Sequence, residues 1–112
     1  MKKVEAFIRH EKVAEVRDAL AGIGIEGMSF TEIKGFGRQK GYTETYRGAR
    51  VTINLRPKIK VETVVEDAAV DNVVATLGEA ARTGDIGDGK IFVTPVEFAM
   101  RIRTGETGSE VL

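Results

Sequence analysis

Residues 4–20, VEAFIRHEKVAEVRDAL, lie over residues 61–77, VETVVEDAAVDNVVATL, at an offset of 57 positions. Val4 meets Val61, Glu5 meets Glu62, Val13 meets Val70, Val16 meets Val73 and Leu20 meets Leu77. Phe7 and Ile8 sit over Val64 and Val65, so apolar character is kept there too. Most of these matches fall on positions that should make a core. Each half opens with a β-rich run, Val4 to Arg9 and Ile59 to Glu66, and then turns helical. Val13, Val16, Leu20 and Ile23 recur every three or four residues and mark one helix face; Val70, Val73, Val74 and Leu77 repeat the pattern. Gly22 and Gly24 close the first helix, and Gly84 follows the second.

A further strand follows each helix. Met28, Phe30, Glu32 and Lys34 alternate with Ser29, Thr31, Ile33 and Gly35, although neither set is purely apolar. Ile91-Phe92-Val93 is a compact apolar strand. The order β-α-β, long loop, β-α-β predicts an α+β, ferredoxin-like fold: one four-stranded antiparallel sheet with both helices on one face. An unrelated α+β domain is the alternative. The sheet's other face stays open unless a partner covers it, which favours an oligomer.

The 112 residues suit one domain with a modest core. Seventeen basic and seventeen acidic side chains give zero net charge, so no broad cationic field draws nucleic acid or membrane. There is no cysteine, hence no disulfide framework or thiolate chemistry, which fits a cytoplasmic protein. Glu5 and Arg9 interrupt any leader-like apolar run, and no stretch approaches the roughly 18 apolar residues of a membrane helix.

The connection from Gly37 to about Pro57 runs to about twenty residues, where about two to five would join the strands. Arg38, Lys40, Arg47, Arg50 and Arg56 alternate there with Tyr42 and Tyr46. Arg and Tyr dominate protein interfaces, so this loop reads as a docking surface, against a merely solvated basic loop. Val51 to Leu55 alternates like a strand, so the base of the loop is expected to be an extended ribbon.

Thr83-Gly84-Asp85-Ile86-Gly87-Asp88-Gly89-Lys90 has the composition of a phosphate cradle, with glycines admitting backbone N–H groups and Lys90 adding a charge. Its Gly84 and Gly89-Lys90 spacing is that of a P-loop, but Ile91 stands where Ser or Thr would hold Mg²⁺, so P-loop hydrolysis is not implied. A plain glycine-rich turn is the alternative. Arg101 and Arg103 would share one face of an extended segment, where forked donors suit a phosphate chain; two surface arginines are the alternative. His10, the only histidine, stands without a cysteine or a carboxylate cluster and reads as a surface or strand-end residue rather than a metal ligand. No nucleophile, base and acid constellation suggests an enzyme.

Together these stretches resemble the PII nitrogen-regulatory signal transduction family. Glu32 to Gly41 is similar to the motif before its T-loop, Tyr46-Arg47-Gly48-Ala49 resembles the loop's tip, Thr83 to Val93 resembles its C-terminal signature, and Arg101 to Glu106 its closing segment. The resemblance covers nearly the whole chain as a single domain over 1–112. It implies a T-loop at about 37–56, a phosphate loop at about 82–90 and a C-terminal loop at about 101–112. It implies a cytoplasmic homotrimer with nucleotide clefts between subunits, binding ATP, ADP, Mg²⁺ and 2-oxoglutarate as effectors. Carried over by position, Gly37, Arg38, Gly87, Asp88, Gly89, Lys90, Arg101 and Arg103 would hold the phosphate end of the nucleotide. Phe7, Ser29 and Val64 would hold the adenosine end, and Glu62 would orient nearby cations. Gln39 would meet Mg²⁺ and, with Lys58, 2-oxoglutarate. ATP, Mg²⁺ and 2-oxoglutarate together carry about four negative charges, which Lys58, Lys90, Arg101 and Arg103 would balance.

The resemblance implies that effectors reshape the T-loop, whose Tyr42, Tyr46 and Arg47 would meet an ammonium-channel protein, or a nitrogen-metabolism enzyme such as glutamine synthetase or another regulator. Recruitment to a membrane would then run through the channel partner, without insertion and without nucleic acid. Val51 stands where many relatives carry a tyrosine that is uridylylated or adenylylated, and Ala49 lacks a hydroxyl that some relatives phosphorylate. Control by ligands alone is therefore expected. Three rival readings stand beside this one. An RNA-binding domain of the same fold would need paired aromatics on its strands, and Phe92 and Phe30 show no such pattern. A phosphate-handling enzyme would turn over ATP or an acyl phosphate. An adenylate sensor blind to 2-oxoglutarate would regulate another transporter or enzyme, and Gln39 with Lys58 speaks against it.

Overall fold

A computed structural model describes residues 1–35, 42–46, 49–53 and 56–112, with 42–46 and 49–53 described by their backbone. The elements run β1 (Lys2–Ile8), α1 (Val13–Gly22), β2 (Ser29–Gly35), β3 (Tyr42–Tyr46), β4 (Ala49–Ile53), β5 (Arg56–Val65), α2 (Val70–Ala81) and β6 (Lys90–Pro95). Four strands form one antiparallel sheet in the order β2-β5-β1-β6. This is the ferredoxin-like arrangement expected from the repeat.

The repeat is visible in the geometry. Single 3-10 turns at His10–Lys12 and Asp67–Ala69 precede the helices, and these turns and both helix starts keep the 57-residue offset. Glu5 and its repeat mate Glu62 face each other directly across β1 and β5, so a local dyad passes between them. Lys3 Nζ lies 3.6 Å from Glu5 and 3.8 Å from Glu62, which offsets the repulsion of two opposed carboxylates.

Alternation of side chains along each strand sends Val4, Ala6 and Ile8 with Ile59, Val61 and Val65 to one face. There they meet Val16 and Leu20 of α1 and Val73, Leu77 and Ala81 of α2, all buried. The matched pairs Val4/Val61, Val16/Val73 and Leu20/Leu77 are at most 1% exposed. Val13 and Val70 pack at the margin of this core, while Ile23 is exposed and lies outside the helix stripe. Thr63, the one buried polar side chain among the described residues, donates to the Gly27 carbonyl at 2.5 Å and so closes the α1–β2 turn.

The long connection carries a two-stranded ribbon of β3 and β4, with Tyr42 opposite Ile53 and Tyr46 opposite Ala49. Strand β4 begins at Ala49, two residues before the expected Val51, while Asn54 and Leu55 lie outside the described residues. β5 begins at Arg56, inside the span assigned to the loop. Pro57 is tolerated because β1 pairs with β5 only as far as Ile59.

Among the described residues, strand β6 pairs only with β1. Phe92 and Val93 are consequently exposed, together with Phe98, Met100 and Ile102 beyond them. The expectation that Phe92 lacks an aromatic partner is corrected: Phe7 of β1 meets it edge to face, centroids 5.9 Å apart at 71°, on the sheet face away from the helices. The pair arises because Phe7 is diagonal to Phe92 in the β1–β6 register. No helix among the described residues is long and apolar enough to cross a membrane.

Candidate functional site

Strand β6 and helix α2 are joined by residues 82–89, and Asp88 is the central brace of this loop. Asp88 accepts from the backbone N–H groups of Thr83 and Gly84, both at 2.8 Å, and from the Thr83 hydroxyl. Arg9 Nε donates to it at 3.1 Å from the end of β1, and Arg9 Nη2 donates to the Ile86 carbonyl at 2.8 Å. The Thr83 hydroxyl first, then the two backbone donors and Arg9, hold the Asp88 carboxyl far below the usual carboxylate range. Asp88 therefore shapes the cradle from within.

Gly84, Gly87 and Gly89 have φ of +93°, +105° and +100°. At Gly89 a Cβ would sit 1.6 Å from the Phe7 carbonyl oxygen. Only glycine lets the loop descend this far onto the end of β1. The Lys58 ammonium donates to the Gly87 carbonyl. Burial pushes the Lys58 pKa down, helped by neighbouring Arg9 and opposed by Glu11 and Asp88. Arg9, Lys58 and Lys90 thus gather around one glycine-rich turn.

A cleft of about 300 Å³ opens beside this turn, lined by Phe7, Ile8, Gly78, Arg82, Gly89 and Lys90 among others. A second, of about 700 Å³, is lined by Ser29, Glu62, Val64, Gly27, Ser109 and Leu112 among others. The expected residues accordingly divide into two groups. Phe7, Asp88, Gly89 and Lys90 line the first cleft; Ser29, Glu62 and Val64 line the second. Phe7 and Val64 are repeat mates. The cation beside Glu62 within this chain is Lys3.

The expected extended segment at Arg101 and Arg103 is instead a closed turn. Arg101 N–H donates to the Glu106 carbonyl and Gly105 N–H to the Arg101 carbonyl, each at 2.8 Å, and Met100 bridges Thr107. Gly105, at φ +74°, permits the reversal. The Arg101 guanidinium donates to Glu106 Oε1 at 2.9 Å. Thr104 and then Arg101 hold the Glu106 carboxyl below its ordinary value.

Gly37, Arg38, Gln39 and Arg47 lie outside the described residues, and Tyr42 and Tyr46 are placed only as the ends of β3. Among the described residues no group of three or more His, Asp or Glu side chains is arranged to hold a metal. Arg9 and Thr83 were missed in the sequence. The loop carries two acids, Asp85 and Asp88, and nothing in the sequence marks Asp88 as the one that Thr83 and the distant Arg9 engage.

This fold and site define a small ferredoxin-like domain with a glycine-rich loop, braced by Asp88, at the end of its central strand β1. The sequence matches the family described as nitrogen regulatory protein P-II over residues 1–106. It is 58% identical to the nitrogen regulatory protein P-II of Microchaete diplosiphon, 57% to that of Nostoc punctiforme and 54% to that of Azospirillum brasilense. Each alignment covers all of both chains over 112 residues. The chain belongs to the P-II nitrogen regulatory protein family.

Proposed function

We propose that the chain is a homotrimeric cytoplasmic sensor of ATP, ADP and 2-oxoglutarate that regulates nitrogen-metabolism targets through its long loop, without catalysis of its own. The observation that carries this reading is the cradle: Gly87 and Gly89 in left-handed conformations, pinned by Asp88, with Lys58, Lys90 and Arg9 beside them. Glycines in such conformations can turn backbone N–H groups towards an anion, and with three cations beside them they suit the phosphate end of a nucleotide. The described donors therefore fit a polyanion. Gly37 and Arg38 would complete that end, and Gln39 would supply an oxygen to Mg²⁺.

The two clefts support a site shared between subunits. One carries the cradle and the other carries Ser29, Glu62 and Val64, so adenosine and phosphates would be held by neighbouring chains. The exposed Phe92, Val93, Phe98, Met100 and Ile102 give a trimer the apolar surface it needs. Lys58 would leave the Gly87 carbonyl for the 2-oxoglutarate carboxylate. Effector state would then bias the shape of the long loop, whose Tyr42, Tyr46 and Arg47 would meet an ammonium channel, glutamine synthetase or a related regulator. Val51 excludes nucleotidylation at its position, so the ligands alone would set the state.

Calorimetric titration of 2-oxoglutarate, with and without Mg-ATP, tests the reading. Binding only in the presence of Mg-ATP supports the shared Mg²⁺ site. ATP binding without any 2-oxoglutarate binding would leave a sensor of adenylates alone.

A further inference from the structure

The C-terminal turn carries its own anion. Residues Ala99 to Gly108 close on themselves: Gly108 N–H donates to the Ala99 carbonyl at 3.0 Å, Met100 bridges Thr107, and Arg101 N–H donates to the Glu106 carbonyl. This backbone frame sets Glu106 beside the Arg101 guanidinium, and the ion pair closes at 2.9 Å. Among the described residues no hydrogen bond or ion pair engages the Arg103 side chain. The two arginines are therefore unequal: one is already neutralised and the other is not.

We propose that Glu106 is an internal competitor for the nucleotide phosphates, occupying Arg101 in the free protein and yielding it when a polyphosphate arrives. The inference rests on the phosphate role given to Arg101 in the preceding reading. Balance between four cations and an ATP–Mg²⁺–2-oxoglutarate set requires Arg101 to be available, and Glu106 adds one negative charge to that balance. A phosphate oxygen and a carboxylate oxygen seek the same guanidinium N–H groups, so binding must exchange one for the other. The carboxylate that remains also repels the incoming polyanion. Both effects weaken binding and keep the site responsive to changes in nucleotide level.

The test is calorimetric titration of ATP into the wild-type protein, Glu106→Gln, Arg101→Ala and the double variant. The pair is half-exposed, so removing its charge should tighten ATP by about two- to fivefold, the scale of an exposed ion pair. The gain should vanish in the Arg101→Ala background and shrink in high salt. Glu106→Gln is close in shape to the native side chain, and its melting temperature checks that the turn persists. Unchanged or weaker ATP binding in Glu106→Gln overturns the competitor role; weaker binding would make Glu106 a positioning residue for Arg101. Wild-type protein that binds neither ATP nor inorganic tripolyphosphate overturns the functional reading and this inference together. Wild-type binding with an indifferent Glu106 overturns this inference alone.

Discussion

Gly89→Ala attacks the point where the cradle rests on the sheet. The added Cβ would lie 1.6 Å from the Phe7 carbonyl oxygen and 2.8 Å from its carbon, both backbone atoms of a paired strand. No rotamer change can relieve that overlap, so the loop or the end of β1 must move by more than 1 Å. The left-handed φ of +100° adds about 1–2 kcal/mol for any side chain. With about 1–3 kcal/mol for overpacking, the total cost is about 2–5 kcal/mol. Gly84→Ala is the internal control: its φ is +93°, but nothing lies within 4 Å of the added Cβ, so only about 1–2 kcal/mol is expected. The melting temperature of a domain this size falls by about 4–8 °C per kcal/mol. Gly89→Ala should therefore melt well below Gly84→Ala, which in turn melts below wild type. Scanning calorimetry at one fixed protein concentration measures this, since an oligomer's stability varies with concentration. Displacing the loop should also remove ATP binding in Gly89→Ala. Equal melting temperatures for the two variants would refute the close-approach argument, and full ATP binding by Gly89→Ala would refute its link to the cradle.

Leu20→Ala and Leu77→Ala remove repeat-related, fully buried side chains, so each should cost about 2–5 kcal/mol in urea unfolding, and a cost below about 1 kcal/mol in either would contradict the packing. The Asp88 carboxyl lies below its unfolded value in the native protein, so its stabilisation is complete above the unfolded pKa of about 3.9 and is lost as pH falls further, through the folded value. Asp88→Asn should accordingly melt below wild type at pH 6, with the gap closing only below about pH 4; a gap independent of pH would show that the charge of Asp88 contributes nothing.

The repeat made the fold legible because it recorded positions rather than properties. Val4/Val61, Val16/Val73 and Leu20/Leu77 all proved to be buried, and both helix starts kept the offset. The strand at 91–93 was legible as a strand, yet its apolar run concealed an edge: Phe92 and Val93 are exposed because β6 has one neighbour. The tight turn at 84–89 was legible from its glycines, but the side chains that hold it were not. Arg9 lies 79 residues from Asp88, and only the closed sheet brings them together. Arg101 and Arg103 were misread as extended because an x-Arg-x-Arg pattern is silent about the turn that Gly105 allows. Glu106, the partner that changes the chemistry of Arg101, was visible in sequence but not in contact.

The two clefts suggest why a repeated fold serves this chemistry. Ala6, Phe7 and Ile8 line one cleft, and their repeat mates Thr63, Val64 and Val65 line the other. In each half the connection after the helix docks on the first strand of the opposite half. The α1–β2 connection does so through the Gly27 carbonyl on Thr63, and the α2–β6 connection through Gly89 on Phe7. The first connection closes a short turn with a neutral hydrogen bond. The second is longer, carries Asp88 as its internal brace and gathers Arg9, Lys58 and Lys90 around it. Equivalent positions thus acquired unequal chemistry: one cleft sets Arg82, Asp88 and Lys90 among apolar side chains, and the other carries Lys3, Ser29, Glu62 and Glu66. If, as proposed, neighbouring copies bring the two clefts together, binding would report on assembly as well as on nucleotide.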